Sequence, residues 1–294
     1  MPPKKKKTTK IDNSIMVESD IPRLKMVYRS FPDFDTMSNK ALYEGLSSKY
    51  PNKGTLNVIC YTLKKFFEED GQDTKSDFWG EKGAELGREV NKIESQNKLT
   101  NNETKNWKTQ NDIMKIMNSI KILNIADYNR FLILAMTTFQ PPLRKSFYQS
   151  LKFLFNSKHN NGKDNYLLLQ KLPLKSYYIV NNDKVSRHDK FKDDDSVFIE
   201  IDNKELINML WRSYNTRKRK YVFESEKNKP YTLSSFSNVL LEEPFGLNFN
   251  ILRSSYITAF YKEHESLADR KLLAQKMRHS SDVAHLNYFK DVKK

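Results

Sequence analysis

The sequence predicts an α+β fold: a mainly helical domain with a small antiparallel sheet, preceded by a small all-helical domain. Three observations predict it. Apolar residues recur at spacings of three and four over most of the chain, which is typical of helices that bury one face. Between Tyr166 and Ile201 the pattern changes to short β-branched and aromatic runs separated by polar turns, which indicates strands. The order of helices, small sheet and helices favours an α+β arrangement.

Residues 1–25 are predicted to be a disordered basic tail, because little apolar periodicity follows the two prolines at its start. The run Lys4–Lys7 stands directly behind those prolines. Such a run fits a phosphate-binding arm, a nuclear-import signal or a plain solvated tail.

Residues 26–105 are predicted to form the small helical domain. A helix over Thr55–Phe67 carries on one face the apolar residues Leu56, Ile59, Cys60, Leu63 and Phe67. Gly71 then provides a stop, and a second helix is expected over Gly83–Ile93. Because Cys60 lies on the apolar face, it is interpreted as a buried structural thiol. The polar segment Glu94–Lys105 is interpreted as a linker that contains the domain boundary.

Residues 106–294 are predicted to form the larger domain. Asp127 is expected to cap one of its helices, and Pro141-Pro142 to break the chain before a helix over Leu143–Phe155. The other expected helices are Asp112–Leu123, Asp127–Phe139, Lys204–Tyr214, Leu233–Leu241, Ile251–Tyr261 and Ala268–Met277. The expected strands are Tyr166–Leu169, Tyr177–Val180 and Val197–Ile201.

The composition excludes several classes of protein. Aromatic residues make up 12% of the 294 residues, which argues against wholesale disorder, and 8 glycines exclude a collagen-like chain. No apolar run reaches the roughly 18–20 residues of a membrane helix, and no secretory signal is visible. A single cysteine excludes a disulfide framework or a cysteine zinc site. We therefore expect an intracellular protein without a membrane partner.

The charge points to a polyanionic partner. Lys and Arg number 51 against 36 Asp and Glu, so the formal net charge is +15. A solvated, solubilising basic surface explains the same balance equally well. A polyanionic partner requires basic residues close to residues that act on phosphate, whereas a solvated surface does not.

Four residues of the larger domain could handle a phosphodiester. Arg144 follows the Pro141-Pro142 break, and Arg253 lies in the run Leu-Arg-Ser-Ser-Tyr. His279 lies in Met-Arg-His-Ser-Ser, and Tyr288 follows it by nine positions. Taken singly, an arginine at a helix start is usually a surface cation and a tyrosine in an apolar setting is usually part of the core.

Together these runs resemble the tyrosine recombinase (phage integrase) family, over Trp107 to the C-terminus. The family has one arginine in a first conserved motif and a second arginine in an HxxR pair. A GHSS-type turn follows, and the nucleophilic tyrosine lies nine residues after the histidine of that turn. The resemblance implies that Arg144 and Arg253 clamp the phosphate and that Tyr288 forms a 3′-phosphotyrosyl bond. His279 would bond the phosphate or assist proton transfer. It implies neither a cofactor nor a metal.

The family also uses a lysine on a hairpin between the two arginine boxes. The run from Tyr177 to Ser186 is similar to the hairpin of integrase-like recombinases from large DNA viruses and their satellite viruses, the virophages. Lys184 is therefore the candidate that would protonate the departing 5′ oxygen. Lys190 and Lys192 lie in the same connection and remain alternatives.

Two positions depart from the family pattern. Asn250 stands where the family has a histidine or lysine, three residues before the second arginine. Asparagine can donate a hydrogen bond to phosphate but carries no charge and shuttles no proton. Arg278 replaces the usual glycine before the histidine. Both are candidate supporting residues, and Asn250 leaves open a slow or decayed enzyme.

The physical roles agree with the chemistry. A tyrosine hydroxyl has a pKa near 10, so neighbouring cations help it lose its proton as it attacks. Guanidinium groups suit the phosphoryl transition state because each presents a planar fork of donors that stays charged.

The resemblance also implies partners. Double-stranded DNA is the expected substrate, encircled with the help of the N-terminal helical domain, by a homo-oligomer of two to four copies. Phe289–Lys294 would pack onto a neighbouring protomer, although it is short for that role. Lys64-Lys65 and Arg217–Lys220 fit phosphate contacts and fit solvated faces equally. The host nucleus and a viral factory are both compatible with the basic tail.

Two other functions remain open. A type IB topoisomerase shares the chemistry and a related fold, but relaxes supercoils as a monomer. A non-catalytic DNA-binding protein on the same scaffold is the alternative that Asn250 favours. Tyr256 and Tyr261, beside the second arginine, are the rival nucleophiles and have simpler explanations as packing residues.

Overall fold

The structure is a computed structural model of the chain, and it describes residues 20–171, 174–181, 197–280 and 283–291, without the side chains of 101, 102 and 286. The chain divides into two compact units, Met1–Gln96 and Asn97–Lys294. The division falls inside the segment Glu94–Lys105 that the sequence interpreted as a linker. The described part of the chain contains no helix that is both long and apolar enough to span a membrane.

The described part of the first unit is helical. Its helices are α1 (Ile21–Ser30), α2 (Asn39–Lys49), α3 (Lys53–Glu69) and α4 (Asp73–Glu94). Ser38 and Asn52 begin α2 and α3 by accepting a backbone N–H from the first turn. Helix α1 starts inside the segment that the sequence assigned to the tail. The earlier tail residues, including Lys4–Lys7, lie outside the described residues.

The core of the first unit is built around α3. Its apolar face packs with Leu24, Leu42 and Trp79 from the other three helices. Cys60 is fully buried in this core, and burial raises the pKa of its thiol to about 12. The interpretation of Cys60 as a buried thiol is therefore confirmed.

Glycines let the helices of this unit approach closely. Gly83 of α4 lies against the ring of Tyr61, where an added Cβ would come within 3.1 Å of the ring carbons. Gly87 lies one turn further along α4. Among the described residues outside that helix, a Cβ added there would meet only the amide nitrogen of Asn57, at 3.3 Å. Gly45 of α2 is tighter, because an added Cβ would lie 2.7 Å from the ring of Phe31.

The second unit surrounds a small sheet with helices. Its helices are α5 (Asn101–Asn106), α6 (Gln110–Ser119), α7 (Ile125–Phe139), α8 (Lys145–Gln149), α9 (Lys204–Thr216), α10 (Leu233–Ser237), α11 (Glu243–Phe245), α12 (Phe249–Glu263) and α13 (Leu267–Lys276). Single π-helical turns occupy Asn238–Glu242 and Ala284–Tyr288. The strands are β1 (Lys152–Leu154), β2 (Tyr166–Gln170), β3 (Lys175–Val180) and β4 (Val197–Glu200).

The sheet has the order β1-β2-β3-β4. The three predicted strands pair antiparallel, with Leu168 opposite Tyr177 and Tyr178 opposite Ile199. Strand β1 adds to β2 in parallel, so the sheet is mixed. The α+β prediction is confirmed, with a mixed sheet in place of the antiparallel one expected, because β1 forms where a helix was predicted.

Two local predictions are wrong. The helix expected over Leu143–Phe155 ends at Gln149, and β1 follows. The backbone of Phe153 donates to the carbonyl of Lys220, far along the chain, and this distant pairing overrides the local apolar pattern. Helix α7 is capped by Asn124 instead of Asp127, whose N–H donates to the Asn124 side chain at 2.9 Å.

Candidate active site

The segment that carries Arg144 is hydrogen-bonded to α12 through the carbonyl oxygen of Pro142. Arg144 stands at the N-cap of α8, directly after the Pro141-Pro142 break. Arg253 lies in α12 with 1% of its surface exposed, and its Nη1 donates to the carbonyl oxygen of Pro142 at 2.9 Å. The two arginines are therefore held next to each other although they are distant in sequence.

Arg253 has unused donors in a buried position. Its Nε and Nη2 are buried and have no hydrogen-bond partner among the described residues, and the same holds for Nε of Arg144. Burial lowers the pKa of Arg253, the charge of Arg144 acts in the same direction, and Tyr288 opposes both. Buried polar groups are normally hydrogen-bonded. Two arginines with unused donors therefore form a ready site for an anion.

A tight turn after α13 presents His279. The N–H of Arg278 donates to the carbonyl of Gln275 at 2.9 Å, and that of His279 to the carbonyl of Ala274 at 3.0 Å. This pair of bonds is a Schellman cap. Its left-handed position is taken by Arg278, with φ of 56°. The glycine of the family pattern would meet the same requirement without strain.

His279 is held in its neutral form. Burial, together with the charges of Arg253 and Arg144, lowers the pKa of its imidazole to about 3. Nδ1 lies 3.2 Å from the carbonyl oxygen of Ser280, to which it donates in the neutral ring. Nε2 is then an unprotonated acceptor, buried and without a partner among the described residues.

Tyr288 lies against both groups. It ends the π-helical turn Ala284–Tyr288, and its ring centroid is 4.7 Å from the guanidinium carbon of Arg253. The same ring stacks on His279, with centroids 5.4 Å apart and planes 17° from parallel. The tyrosine, the histidine and the second arginine of the sequence pattern thus meet at one place.

A cavity of about 380 Å³ opens beside this group. Its lining residues are Arg144, Lys145, Ser237, Glu242, Asn248, Phe249, Asn250, Arg253 and Tyr288. The N-terminus of α12 opens into it, and Asn250 is exposed in the first turn of that helix. A helix N-terminus offers unpaired N–H groups and a favourable dipole to an anion.

The rival tyrosines lie elsewhere. Tyr256 lines a different cavity, of about 400 Å³, together with Phe260 and Leu273. Burial raises its pKa to about 12, and Glu263 acts in the same direction. Tyr261 is 4% exposed, and Arg270 stacks on its ring at 4.6 Å. Neither is brought to the two arginines as Tyr288 is.

The candidate lysines Lys184, Lys190 and Lys192 lie outside the described residues. The described chain stops just before them at Asn181. Its amide Nδ2 donates at 2.6 Å to the Asn160 side chain and at 2.6 Å to the carbonyl oxygen of Asp164. These bonds fix the end of β3 from which that segment departs.

Several residues near the site were not identified from the sequence. Lys145, Glu242 and Asn248 line the cavity. Asn248 carried a usable signal, because an Asn directly before an apolar helical run is a typical cap, and its side chain accepts from Ile251 N–H. Lys145 and Glu242 carried none, since their positions depend on tertiary packing.

One residue of the predicted basic cluster Arg217–Lys220 has a structural role. Arg219 is partly buried and donates to the carbonyl oxygens of Ser213 and Val222, at 2.8 and 3.0 Å. Its guanidinium also lies 5.1 Å from the ring centre of Phe153. Its donors are therefore engaged within the protein.

The described residues contain no group of three or more His, Cys, Asp or Glu side chains arranged to hold a metal ion.

Comparison with known proteins identifies the fold. No protein-family profile matches the sequence, and no curated protein matches it. Among solved structures, a lambda integrase dimer bound to a COC′ core site is similar, with a TM-score of 0.56 and 13% identity over 94% of this chain and 73% of that one. A lambda integrase tetramer bound to a Holliday junction is similar with a TM-score of 0.55 and 13% identity, over 96% and 76%. The chain therefore has the integrase fold.

Proposed function

We propose that the protein is a site-specific DNA recombinase or integrase that cleaves and rejoins strands through a 3′-phosphotyrosyl intermediate on Tyr288. The observation that carries the proposal is the position of the Tyr288 ring, 4.7 Å from a buried Arg253 guanidinium with unused donors and stacked on a neutral His279. A nucleophile and an anion clamp then line one cavity, and a proton acceptor stacks on the nucleophile.

A DNA phosphate satisfies the unused donors. Arg253 Nε and Nη2 and Arg144 Nε would donate to the non-bridging oxygens, which carry the negative charge of the transition state. The N-terminus of α12 adds a positive dipole end to the same cavity. This dipole partly makes up for the charge that Asn250 lacks.

The reaction balances without a cofactor. The Tyr288 oxygen attacks phosphorus, the bond from phosphorus to the 5′ oxygen breaks, and the tyrosine proton goes to Nε2 of His279, whose low pKa is raised by the negative charge of the bound phosphate. A second proton reaches the 5′ oxygen from Lys184, or from Lys190 or Lys192 if one of these is the hairpin lysine. The phosphotyrosyl ester retains the energy of the phosphodiester, so the reverse reaction rejoins a strand.

The proposed partners are double-stranded DNA and further copies of the chain. The lambda integrase structures are a dimer and a tetramer bound to DNA, and we extend both properties to this protein. The net charge of +15 supports a polyanionic partner. The first unit would serve as the second arm around the duplex. Action inside a cell, in a host nucleus or a viral factory, belongs to the same proposal, as does an origin in a virus or mobile element.

Covalent trapping tests the proposal. Wild type and Tyr288→Phe are incubated with labelled, nicked DNA from the ends of the element that encodes the protein, then denatured and separated by size. A protein–DNA band is expected in wild type and not in Tyr288→Phe, which lacks only the hydroxyl. Tyr256→Phe is the matched control and is expected to retain the band.

Each other outcome identifies an alternative. A band in Tyr288→Phe that disappears in Tyr256→Phe would move the nucleophile to Tyr256. Tight DNA binding with no band in any protein would favour the non-catalytic alternative that Asn250 motivates. Relaxation of supercoiled DNA by the monomer, indifferent to sequence, would favour a type IB topoisomerase.

A further inference from the structure

The chain that follows Tyr288 is anchored at Lys290 and at Asp291. The N–H of Lys290 donates to Thr258 Oγ1 of α12 at 3.0 Å. The N–H of Asp291 donates at 2.8 Å to the carbonyl oxygen of Asn97, which has a left-handed conformation with φ of 53°. The chain is therefore fixed directly after the candidate nucleophile.

An ion pair between a buried lysine and a half-buried glutamate strengthens this anchor. Nζ of Lys290 lies 3.3 Å from Oε2 of Glu103, and the two side chains are 9% and 20% exposed. Glu103 is itself oriented by the capping box of α5, since the same Oε2 accepts the N–H of Thr100 at 2.9 Å. A buried ammonium needs a charged partner of this kind. Among the described residues, Glu103 is the carboxylate that pairs with Lys290.

The anchored segment has little slack. Tyr288 lies over Arg253, and Lys290 bonds Thr258, five residues further along α12. Only Phe289 lies between Tyr288 and Lys290, and two extended residues span at most about 7 Å. Phe289 leaves the π-helical turn in an extended conformation and packs 5.5 Å from the Tyr261 ring. A shift of Lys290 would therefore move Tyr288.

We propose that Lys290 and Glu103 are positioning residues that hold Tyr288 over Arg253 in the reacting geometry. The inference rests on the proposed function for its catalytic consequence, and on the geometry alone for the position of Tyr288. It assigns a role to α5, a six-residue helix that is too short to be stable by itself. The role is to present one carboxylate to the segment behind the nucleophile.

The test uses Glu103→Gln in the full chain. Glutamine keeps an oxygen for the Thr100 N–H and removes the charge that faces Lys290. Lys290→Arg is the conservative variant that retains the ion pair. Glu200→Gln breaks the exposed pair with Lys175, where both side chains are 45% exposed, and serves as the matched control.

Three readouts separate positioning from chemistry and from DNA binding. The ¹⁹F resonance of 3-fluorotyrosine inserted at position 288 reports the ring environment without any reaction. The rate of covalent adduct formation on nicked DNA reports the reaction, and the dissociation constant for DNA reports binding. Glu103→Gln is expected to shift or broaden the resonance and to slow adduct formation about tenfold, because small displacements of reacting groups cost one to two orders of magnitude. DNA affinity should stay within about twofold, and Lys290→Arg and Glu200→Gln should resemble wild type.

The outcomes distinguish the two proposals. An unchanged resonance and rate in folded Glu103→Gln would overturn the positioning role. Where the wild type forms the adduct, a shifted resonance with an unchanged rate would overturn it as well. A resonance that responds to Glu103→Gln in a protein whose wild type never forms an adduct would support the positioning of Tyr288 and refute the proposed function.

Discussion

At the scale of single residues, Arg278 occupies a backbone conformation that L-residues adopt at a cost. Its φ of 56° completes the Schellman cap that presents His279. Left-handed conformation costs a residue with a Cβ roughly 1–2 kcal/mol, and glycine avoids that cost. The turn geometry explains why glycine suits this position and shows that arginine is compatible with it.

Comparison of Arg278→Gly with Arg278→Ala isolates this cost. Both variants remove the arginine side chain and its contacts, and only Arg278→Ala retains the Cβ. Arg278→Gly is expected to be more stable than Arg278→Ala by about 1 kcal/mol, measured as the free energy of unfolding in urea. Equal stabilities would show that the turn relaxes around alanine.

His279 makes the stability depend on pH. Its pKa is about 3 in the folded protein, against about 6.5 in an unfolded chain. Between these values the unfolded state binds a proton that the folded state does not, so the free energy of unfolding falls as the pH falls. From pH 7 to pH 5 the loss from this residue is at most about 2 kcal/mol.

His279→Gln tests that contribution, because glutamine does not titrate. Urea unfolding of both proteins at pH 7 and pH 5 should give a smaller loss of stability in the variant. A loss as large as in wild type would mean that His279 is already charged in the folded protein at pH 5.

The residue scale also shows where sequence reasoning stops. Spacing and the resemblance together pointed to Arg144, Arg253, His279 and Tyr288, because the family pattern is a set of short runs at characteristic separations. The carbonyl of Pro142 that holds Arg253 leaves no trace in sequence, since any residue supplies a carbonyl. The same limitation applies to Lys290 and Glu103, whose pairing joins opposite ends of the second unit.

At the scale of helices and strands, local signals were sufficient where an element carries its own pattern and cap. The helix expected over Thr55–Phe67 is α3, Lys53–Glu69, and Asn52 sets its start. Strand β1 was missed because it depends on pairing with β2 and with the chain near Lys220. Elements that distant partners define cannot be read from a local window.

The glycines of α2 and α4 give a prediction at this scale. Alanine in a helix interior is normally favoured over glycine by about 0.5–1 kcal/mol. Gly87→Ala should show that gain, because its Cβ meets only the movable end of Asn57, at 3.3 Å. Gly45→Ala should lose about 1–3 kcal/mol, because its Cβ would lie 2.7 Å from the Phe31 ring.

The melting temperatures of the two variants, measured beside wild type, test the predicted gain in stability and the predicted loss in one experiment. A gain in Gly45→Ala would show that the Phe31 ring moves aside at little cost, and a loss in Gly87→Ala would show that Asn57 cannot.

At the scale of the whole molecule, each unit has a core of its own. The sequence placed the start of the second domain at residue 106, whereas the second unit starts at Asn97. The difference comprises α5, which supplies Glu103 to Lys290. The polar composition of this segment predicts a linker, and no local pattern predicts its contact with Lys290.

Two fragments test which boundary matters. The fragment 97–294 is expected to fold and to unfold cooperatively on heating. The fragment 106–294 lacks both the Glu103 partner of Lys290 and the Asn97 carbonyl that accepts the N–H of Asp291, so its melting temperature should be lower. Equal melting temperatures would show that α5 contributes nothing to the stability of the second unit.

The buried thiol in the first unit has a practical consequence for experiments on this protein. Cys60 is the only cysteine in the sequence, it is fully buried, and its pKa is raised to about 12. Maleimides and similar reagents attack the thiolate, so the native chain should resist them at neutral pH. One new cysteine on the surface of each unit should therefore accept a fluorophore or spin label without prior removal of Cys60, and the distance between the two labels could be measured with and without DNA.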